Sequence, residues 1–247
     1  MQYLFLIAIL PVIVLLLFVY FKDSKKEPKK LLASTFALGA LSSIVIVIIE
    51  LIIEYILPSE NGFFSIFIGV ALVEEGFKWL VVKRAYKKPV FDETYDGIVY
   101  AVFSSLGFAA VENLLFVLFK GMGTGILRAL TAVPGHAYYA IIMGYYFGLA
   151  KRNKIDNNKS EEKKNLFISI LIPTLLHTIY DSLLIENILS ILIWLIFIFS
   201  LSIFCIIFIF KASKKNSRYQ KNNYCTNCGN YIEGKNYCTN CGTRNEW

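Results

Sequence analysis

The chain has 247 residues, of which 56% are hydrophobic, 15% aromatic and only 17% charged, with a formal net charge of +7. Long apolar runs separated by short polar clusters exclude an ordinary water-soluble core and fit a bilayer. Lys and Arg gather between those runs, so the positive charge reads as membrane topology and attraction to anionic lipid heads, and says little about nucleic acid.

About 20 apolar residues cross the hydrocarbon, and on that measure seven spans are predicted, over 2–21, 31–57, 63–83, 97–119, 126–150, 166–185 and 188–210. The expected fold is all-α, a polytopic transmembrane helix bundle over 1–210, with a polar linker at 211–223 and a small module at 224–247. The first run has neither a basic leading region nor an A-x-A-like cleavage site, so it reads as a retained helix. The second is long enough to tilt, bend or extend past the bilayer.

Orientation follows from the basic residues between spans. Segments 22–30, 83–96, 151–165 and 211–247 carry five, four, six and seven Lys or Arg. The alternating connections near 58–62, 120–125 and 186–187 have only Lys120, with Arg128 just inside the next span. The positive-inside rule then sets the N-terminus outside and the C-terminal module in the cytosol of a multi-pass cell-membrane protein.

Ionisable groups nevertheless fall inside the predicted spans: Glu74, Glu75 and Lys78 on the third, Glu112 on the fourth, His136 on the fifth, and His177 with Asp181 on the sixth. An ionised group at the bilayer centre costs at least ~2.5–3.5 kcal/mol. At ~1.5 Å of rise per residue, Glu74, Glu112, His136 and His177 lie roughly 17, 12, 15 and 12 Å below the outer edges of their spans. Four helices thus bring polar groups to one depth. Residues three or four apart share a helix face, so Lys78 can neutralise Glu74 or Glu75, Asp181 can bond His177, and Phe108 stacks beside Glu112. An adjacent Glu pair resists double ionisation, which leaves one carboxylate as base and the other as acid. Glue between helices, or a proton pathway, uses the same residue types, but seven such groups at a common depth favour a site. Glu50 and Glu54 on the second span read as outer-interface residues, with the cavity mouth as their other reading.

Helix breakers accompany the polar groups. Pro134-Gly135 precedes His136, and Pro173 lies one turn before His177; the carbonyls they free are tolerated only where protein or water satisfies them. Pro11 is read as a kink. Gly69, Ala71, Gly76, Gly97, Gly107, Ala109, Ala110, Gly144 and Gly148 permit close helix packing.

These residues resemble a known family. Glu74-Glu75-x-x-Lys78 ("EEGFK"), Phe108-x-x-x-Glu112 with Asn113 ("FAAVEN"), His136 ("PGHAYYA") and His177-x-x-x-Asp181 ("HTIYD") match in order and spacing the motifs of the PrsW family. Those are multi-pass intramembrane proteases, grouped with the CAAX prenyl endopeptidases and with the non-catalytic membrane subunit of gamma-secretase. The likeness covers about residues 31–200. It implies peptide-bond hydrolysis within the membrane or at its edge, in the name-giving case site-1 cleavage of a membrane-bound anti-sigma factor. Carried over, it implies that Glu74, with Glu75 in support, activates the attacking water. His136 and His177 would stabilise the oxyanion or bind a metal, and Asp181 would orient His177. Glu112 would stand where the CAAX relatives hold a histidine, while Lys78, Phe108 and Asn113 support. Two His among carboxylates also suit an open catalytic Zn²⁺ site, so glutamate-activated and metal-activated water both stay open.

Amide hydrolysis needs a base for water, a donor or cation for the oxyanion and an acid for the departing amine. The estimated depths place these groups in the outer half of the membrane, so a cavity open outwards is expected. The other function class is a non-enzymatic membrane protein, a proton-coupled transporter or a scaffold or immunity-type protein, using the same buried groups. A common transporter would show an internal repeat of spans, and none is present.

The tail carries "YCTNCG" at 224–229, repeated at 237–242. Cys225-x-x-Cys228 and Cys238-x-x-Cys241 form a tetrahedral thiolate set typical of a structural zinc ribbon. In a reducing cytosol such pairs bind metal more often than they form disulfides. Four thiolates close the site, so it is structural; it could dock a cytosolic partner or gate the protease, and docking is the first reading. Beyond Tyr224, Tyr231 and Tyr237 it lacks the basic-aromatic surface of a nucleic-acid module. Cys205, in the seventh span, reads as a packed small apolar residue.

Overall fold

A computed structural model describes residues 2–56, 62–184, 187–219, 237–242 and 244. Among these the chain is all-α, with no named strand and one isolated bridge between Tyr237 and Arg244. The helices are α1 (Gln2–Lys22), α2 (Lys29–Ile56), α3 (Phe63–Ile66), α4 (Leu72–Tyr86), α5 (Thr94–Lys120), α6 (Met122–Leu130), α7 (Ala132–Ile155), α8 (Lys159–Ser182) and α9 (Ile188–Tyr219).

Among the described residues, all seven predicted stretches are mainly helical. Three stretches, Lys29–Ile56, Thr94–Lys120 and Ile188–Lys214, are long and apolar enough to cross a membrane by length and composition. The outer faces of α2 and α9 expose Leu41, Ile44, Leu51, Ile196 and Phe199, a pattern that water punishes and hydrocarbon does not.

Helix α5 is the axis of the bundle. It packs against α1, α2, α4, α7 and α9, while α8 lies on α7. Small residues set how closely these helices approach. A Cβ on Gly97 would lie 2.1 Å from the Gly144 carbonyl oxygen, and one on Gly148 would lie 2.2 Å from that of Thr94, so α5 and α7 touch backbone to backbone. Gly107 meets Phe36 in the same way, and Gly39, which the sequence pattern did not single out, meets Ser104. Gly76 differs from its expected role, because a Cβ there would meet nothing within 4 Å.

Two departures from the predicted spans bear on the site. The fifth span is broken: α6 ends at Leu130 and α7 begins at Ala132, with Thr131 at φ −126°, ψ −66° between them. Pro134 therefore lies in the first turn of α7, where a missing N–H has no intrahelical partner to lose, and it frees no carbonyl beside His136. Pro173 does lie within α8, one turn before His177. The third span is not a uniform α-helix either, since Phe67–Ala71 forms a π-helical turn directly ahead of α4. Such turns add a residue to the coil and re-aim the face that follows, here the face bearing Glu74 and Glu75.

The tail is described only in part. Cys238 and Cys241 lie on a turn closed by Gly242 N–H donating to the Cys238 carbonyl at 2.9 Å, with Gly242 at φ +71°. Cys225, Cys228 and most of the expected ribbon lie outside the described residues.

Candidate active site

Helix α4 supplies the first half of the site. Glu74, Glu75 and Lys78 occupy one face one turn apart, and all three are buried. The Lys78 ammonium donates to Glu74 Oε2 at 2.9 Å and to Glu75 Oε1 at 2.8 Å, so it pairs with both carboxylates and not with one of them. Its third proton points at His136 Nδ1 on α7, 3.1 Å away. An ammonium has three donors and no acceptor. It is therefore satisfied by three partners, and His136 must accept at Nδ1 and carry its own proton at Nε2. That Nε2 lies 2.9 Å from Glu112 Oε2 on α5.

His177, from α8, sits on the other side of the pair. Its Nδ1 is 3.1 Å from Glu75 Oε1 and 3.9 Å from Glu74 Oε2, and its Nε2 is 3.4 Å from Asp181 Oδ2. Both ring nitrogens thus face carboxylate oxygen, an environment that suits a doubly protonated ring. The two imidazoles meet edge to face with centroids 5.5 Å apart. The two chain histidines and the four acidic residues of the motifs thus form one continuous cluster, gathered from α4, α5, α7 and α8.

A second layer holds the cluster in place. Ser105 Oγ donates to the His136 carbonyl at 2.9 Å, Ser104 Oγ to that of Lys78 at 3.3 Å, and Trp79 Nε1 to Ser169 Oγ at 2.8 Å. Phe108 stands edge-on to His136, centroids 5.5 Å apart, with the Lys78 ammonium 4.3 Å over its ring. Its packing is thus against the cation and the imidazole, whereas the sequence spacing had put it beside Glu112. Asn113 does not reach the cluster: its Nδ2 donates to the Ala8 carbonyl at 3.1 Å and ties α5 to α1.

Two further residues were not legible as site residues. Arg128, counted above only as an outer basic residue, lies on α6 with Nη2 2.7 Å from Glu112 Oε2, its guanidinium stacked 3.8 Å over the Phe116 ring. Tyr139 lies one turn after His136, stacked on His177 at 5.0 Å, its hydroxyl buried without a hydrogen-bond partner. The i, i+3 spacing from His136 was the available signal, hidden among the 15 tyrosines of the chain.

A cavity of about 500 Å³ adjoins the cluster, lined by Glu74, Glu112, His136, His177 and Asp181 and by Arg128 and Tyr139. Glu50, read from sequence as an interface residue, lines this cavity as well, while Glu54 is exposed outside it. Glu75 is fully buried behind the wall. Residues of α6 (Thr124, Leu127, Arg128) form part of the rim.

Glu74, Glu75 and His136 offer one ligand atom each within 4.8 Å of one another, close enough to hold a metal ion. The Lys78 ammonium already stands among those same three groups.

Comparison with known proteins agrees with the geometry. The profile described as PrsW family intramembrane metalloprotease matches residues 27–210. The chain is 43% identical over 182 residues to "Protease PrsW" of Oceanobacillus iheyensis, covering 72% of this chain and 80% of that one. To the proteins of the same name from Clostridioides difficile and Bacillus subtilis it is 37% and 38% identical, over 73% and 72% of this chain and 79% and 80% of theirs. No solved structure matches it. With a family profile spanning most of its length and relatives alike over four-fifths of theirs, this chain belongs to the PrsW family of intramembrane proteases.

Proposed function

We propose that the protein cleaves a peptide bond of a membrane-anchored substrate, of the single-span kind to which an anti-sigma factor belongs, with Glu74 as the base that activates water. The observation that carries this assignment is the asymmetry of the pair: Glu74 borders the cavity, while Glu75 has no exposed surface and is held by Lys78 and His177. Glu74 takes a proton from water as its oxygen attacks the carbonyl carbon. The resulting oxyanion accepts a hydrogen bond from the Tyr139 hydroxyl, which has no other partner, and faces the positive charge of the His177 ring; Glu74 returns the proton to the departing amine as the C–N bond breaks. Glu75 and Asp181 hold His177 in place, and Glu112 with Arg128 holds His136.

The family description names a metal, and the donor types suit one. As the side chains stand, the Glu74, Glu75 and His136 set does not fit a divalent ion, because Lys78 supplies the positive charge at its centre and repels a second cation. Metal-activated water is the second reading, and it requires Lys78 to leave.

The seven-span topology, with the N-terminus outside and a zinc-loaded tail in the cytosol docking a protein partner, is part of the same proposal. It is supported by the distribution of Lys and Arg, and by the position of α6, next to the Lys120 connection, at the rim of the cavity.

The test is cleavage of a single-span substrate by purified protein. Glu74→Gln abolishes turnover with the fold and substrate binding retained. A Glu74→Gln variant that cuts as well as wild type removes the assignment.

A further inference from the structure

A second group of carboxylates lies at the opposite end of the bundle, outside the site described above. Asp23 follows α1, and Glu93 and Asp96 open α5; their side chains are 3%, 2% and 0% exposed. Each offers an oxygen within 4.8 Å of the others.

The way the two aspartates are held is informative. Asp96 Oδ2 accepts from the backbone N–H groups of Asp92 and Glu93 at 2.8 and 2.7 Å, and its Oδ1 is buried with no partner. Asp23 Oδ1 accepts from the Lys25 N–H at 3.1 Å, and its Oδ2 is likewise buried and unpartnered. One oxygen of each aspartate is therefore fixed by backbone and the other is buried without a partner, while the Glu93 side chain accepts from the Asp96 N–H in a capping box at the start of α5. The neighbouring Lys25 and Lys26 act on these carboxylates only through space, without an ion pair. Lys25 is taken by Asp92 at 2.6 Å, and the Lys26 ammonium caps the carbonyls of Tyr20, Phe21 and Asp23. No Lys or Arg nitrogen among the described residues lies within ion-pair distance of Asp23 or Asp96. Glu27, bonded by the Tyr100 hydroxyl, adds a fourth acid nearby. Carboxylates buried together without a counter-charge are costly unless they are protonated or share a cation.

We propose that Asp23, Glu93 and Asp96 bind a hard divalent cation that fastens the α1–α2 turn to the start of α5. An all-oxygen carboxylate set selects Mg²⁺ or Ca²⁺ over thiolate-seeking metals. The ion binds the native arrangement and not the unfolded chain, so it stabilises the fold in proportion to its occupancy. Through α5 it also anchors the helix that carries Phe108 and Glu112.

The experiment uses the full chain in detergent micelles, titrated separately with MgCl₂ and CaCl₂ against KCl at matched ionic strength. The thermal midpoint rises and saturates at or below millimolar divalent ion, and the ion whose effect is half complete at the lower concentration is the preferred one. Asp23→Asn and Asp96→Asn each weaken the apparent affinity at least 10-fold, whereas Glu74→Gln, in the other carboxylate cluster, leaves the response in place. Equilibrium dialysis of the wild-type chain with radioactive Ca²⁺, and competition by Mg²⁺, counts one ion per chain without relying on any variant. A response that follows ionic strength alone, one that survives in both aspartate variants, or no stoichiometric binding of either ion overturns the proposal.

Discussion

Lys78 Nζ and His136 Nδ1 lie 3.1 Å apart, joining α4 to α7 across 58 residues of chain with a hydrogen bond between a cation and a neutral imidazole. That contact fixes the His136 tautomer and fills the space a metal would need. With residues 220–247 deleted, so that the tail thiolates cannot confuse the result, turnover is expected to persist after exhaustive chelation. Lys78→Met is expected to lower turnover by about 100-fold or more, since it leaves Glu74 and Glu75 with one fewer opposite charge in a dry site. Chelator-sensitive turnover restored by added Zn²⁺ would establish the metal reading instead.

Glu75 and Glu74 should fail differently when changed. Glu75→Gln removes a buried partner of both Lys78 and His177, and breaking a buried charge network costs on the order of 3–5 kcal/mol. Its thermal midpoint in detergent should fall clearly below that of Glu74→Gln, whose side chain borders the cavity. Equal midpoints would mean that Glu75 is not the structural member of the pair.

Arg128 holds Glu112 from the rim, at 2.7 Å. Arg128→Gln leaves Glu112 with His136 as its remaining close partner and should reduce kcat by about 10- to 100-fold through misplacement of the imidazole. Arg128→Lys, keeping the charge but losing the fork, should recover only part of it. Steady-state kinetics on the two variants and wild type separates these outcomes.

At the opposite end, burial, reinforced by the nearby charges of Asp23 and Asp92, pushes the Glu27 carboxyl up from 4.5 to about 7, while the Tyr100 hydroxyl and Lys25 oppose the shift. A raised folded-state value means that the native chain binds the proton more tightly. Glu27 therefore stabilises most below about 4.5, and that contribution is lost as pH rises to about 7. Thermal midpoints measured from pH 4.5 to 8 should fall across this window, and Glu27→Gln should flatten the fall.

Close backbone contact between α5 and α7 predicts sensitivity to one added methyl. Gly144→Ala would place its Cβ 2.3 Å from the Gly97 carbonyl oxygen. Overpacking of this kind costs ~1–3 kcal/mol or more. Gly76→Ala, which meets nothing within 4 Å, should leave the thermal midpoint unchanged.

Much of this protein follows from local order along the chain. Helical spacing placed Lys78 against Glu74 and Glu75 and put Asp181 one turn beyond His177, because residues three and four apart share a face whatever surrounds them. Hydropathy located the helices, since a bilayer tolerates unpaired backbone poorly and therefore demands long apolar runs. What tertiary structure alone decided depends on which helices meet. The break at Thr131 lays α6 along the rim, with Arg128 on Glu112; α4 turns Glu74 to the cavity and leaves Glu75 behind its wall; and Lys78 reaches His136 because α4 and α7, distant in sequence, meet in the bundle. None of these has a periodic signature, because each arises from contact between segments whose separation in sequence carries no information about their distance in space.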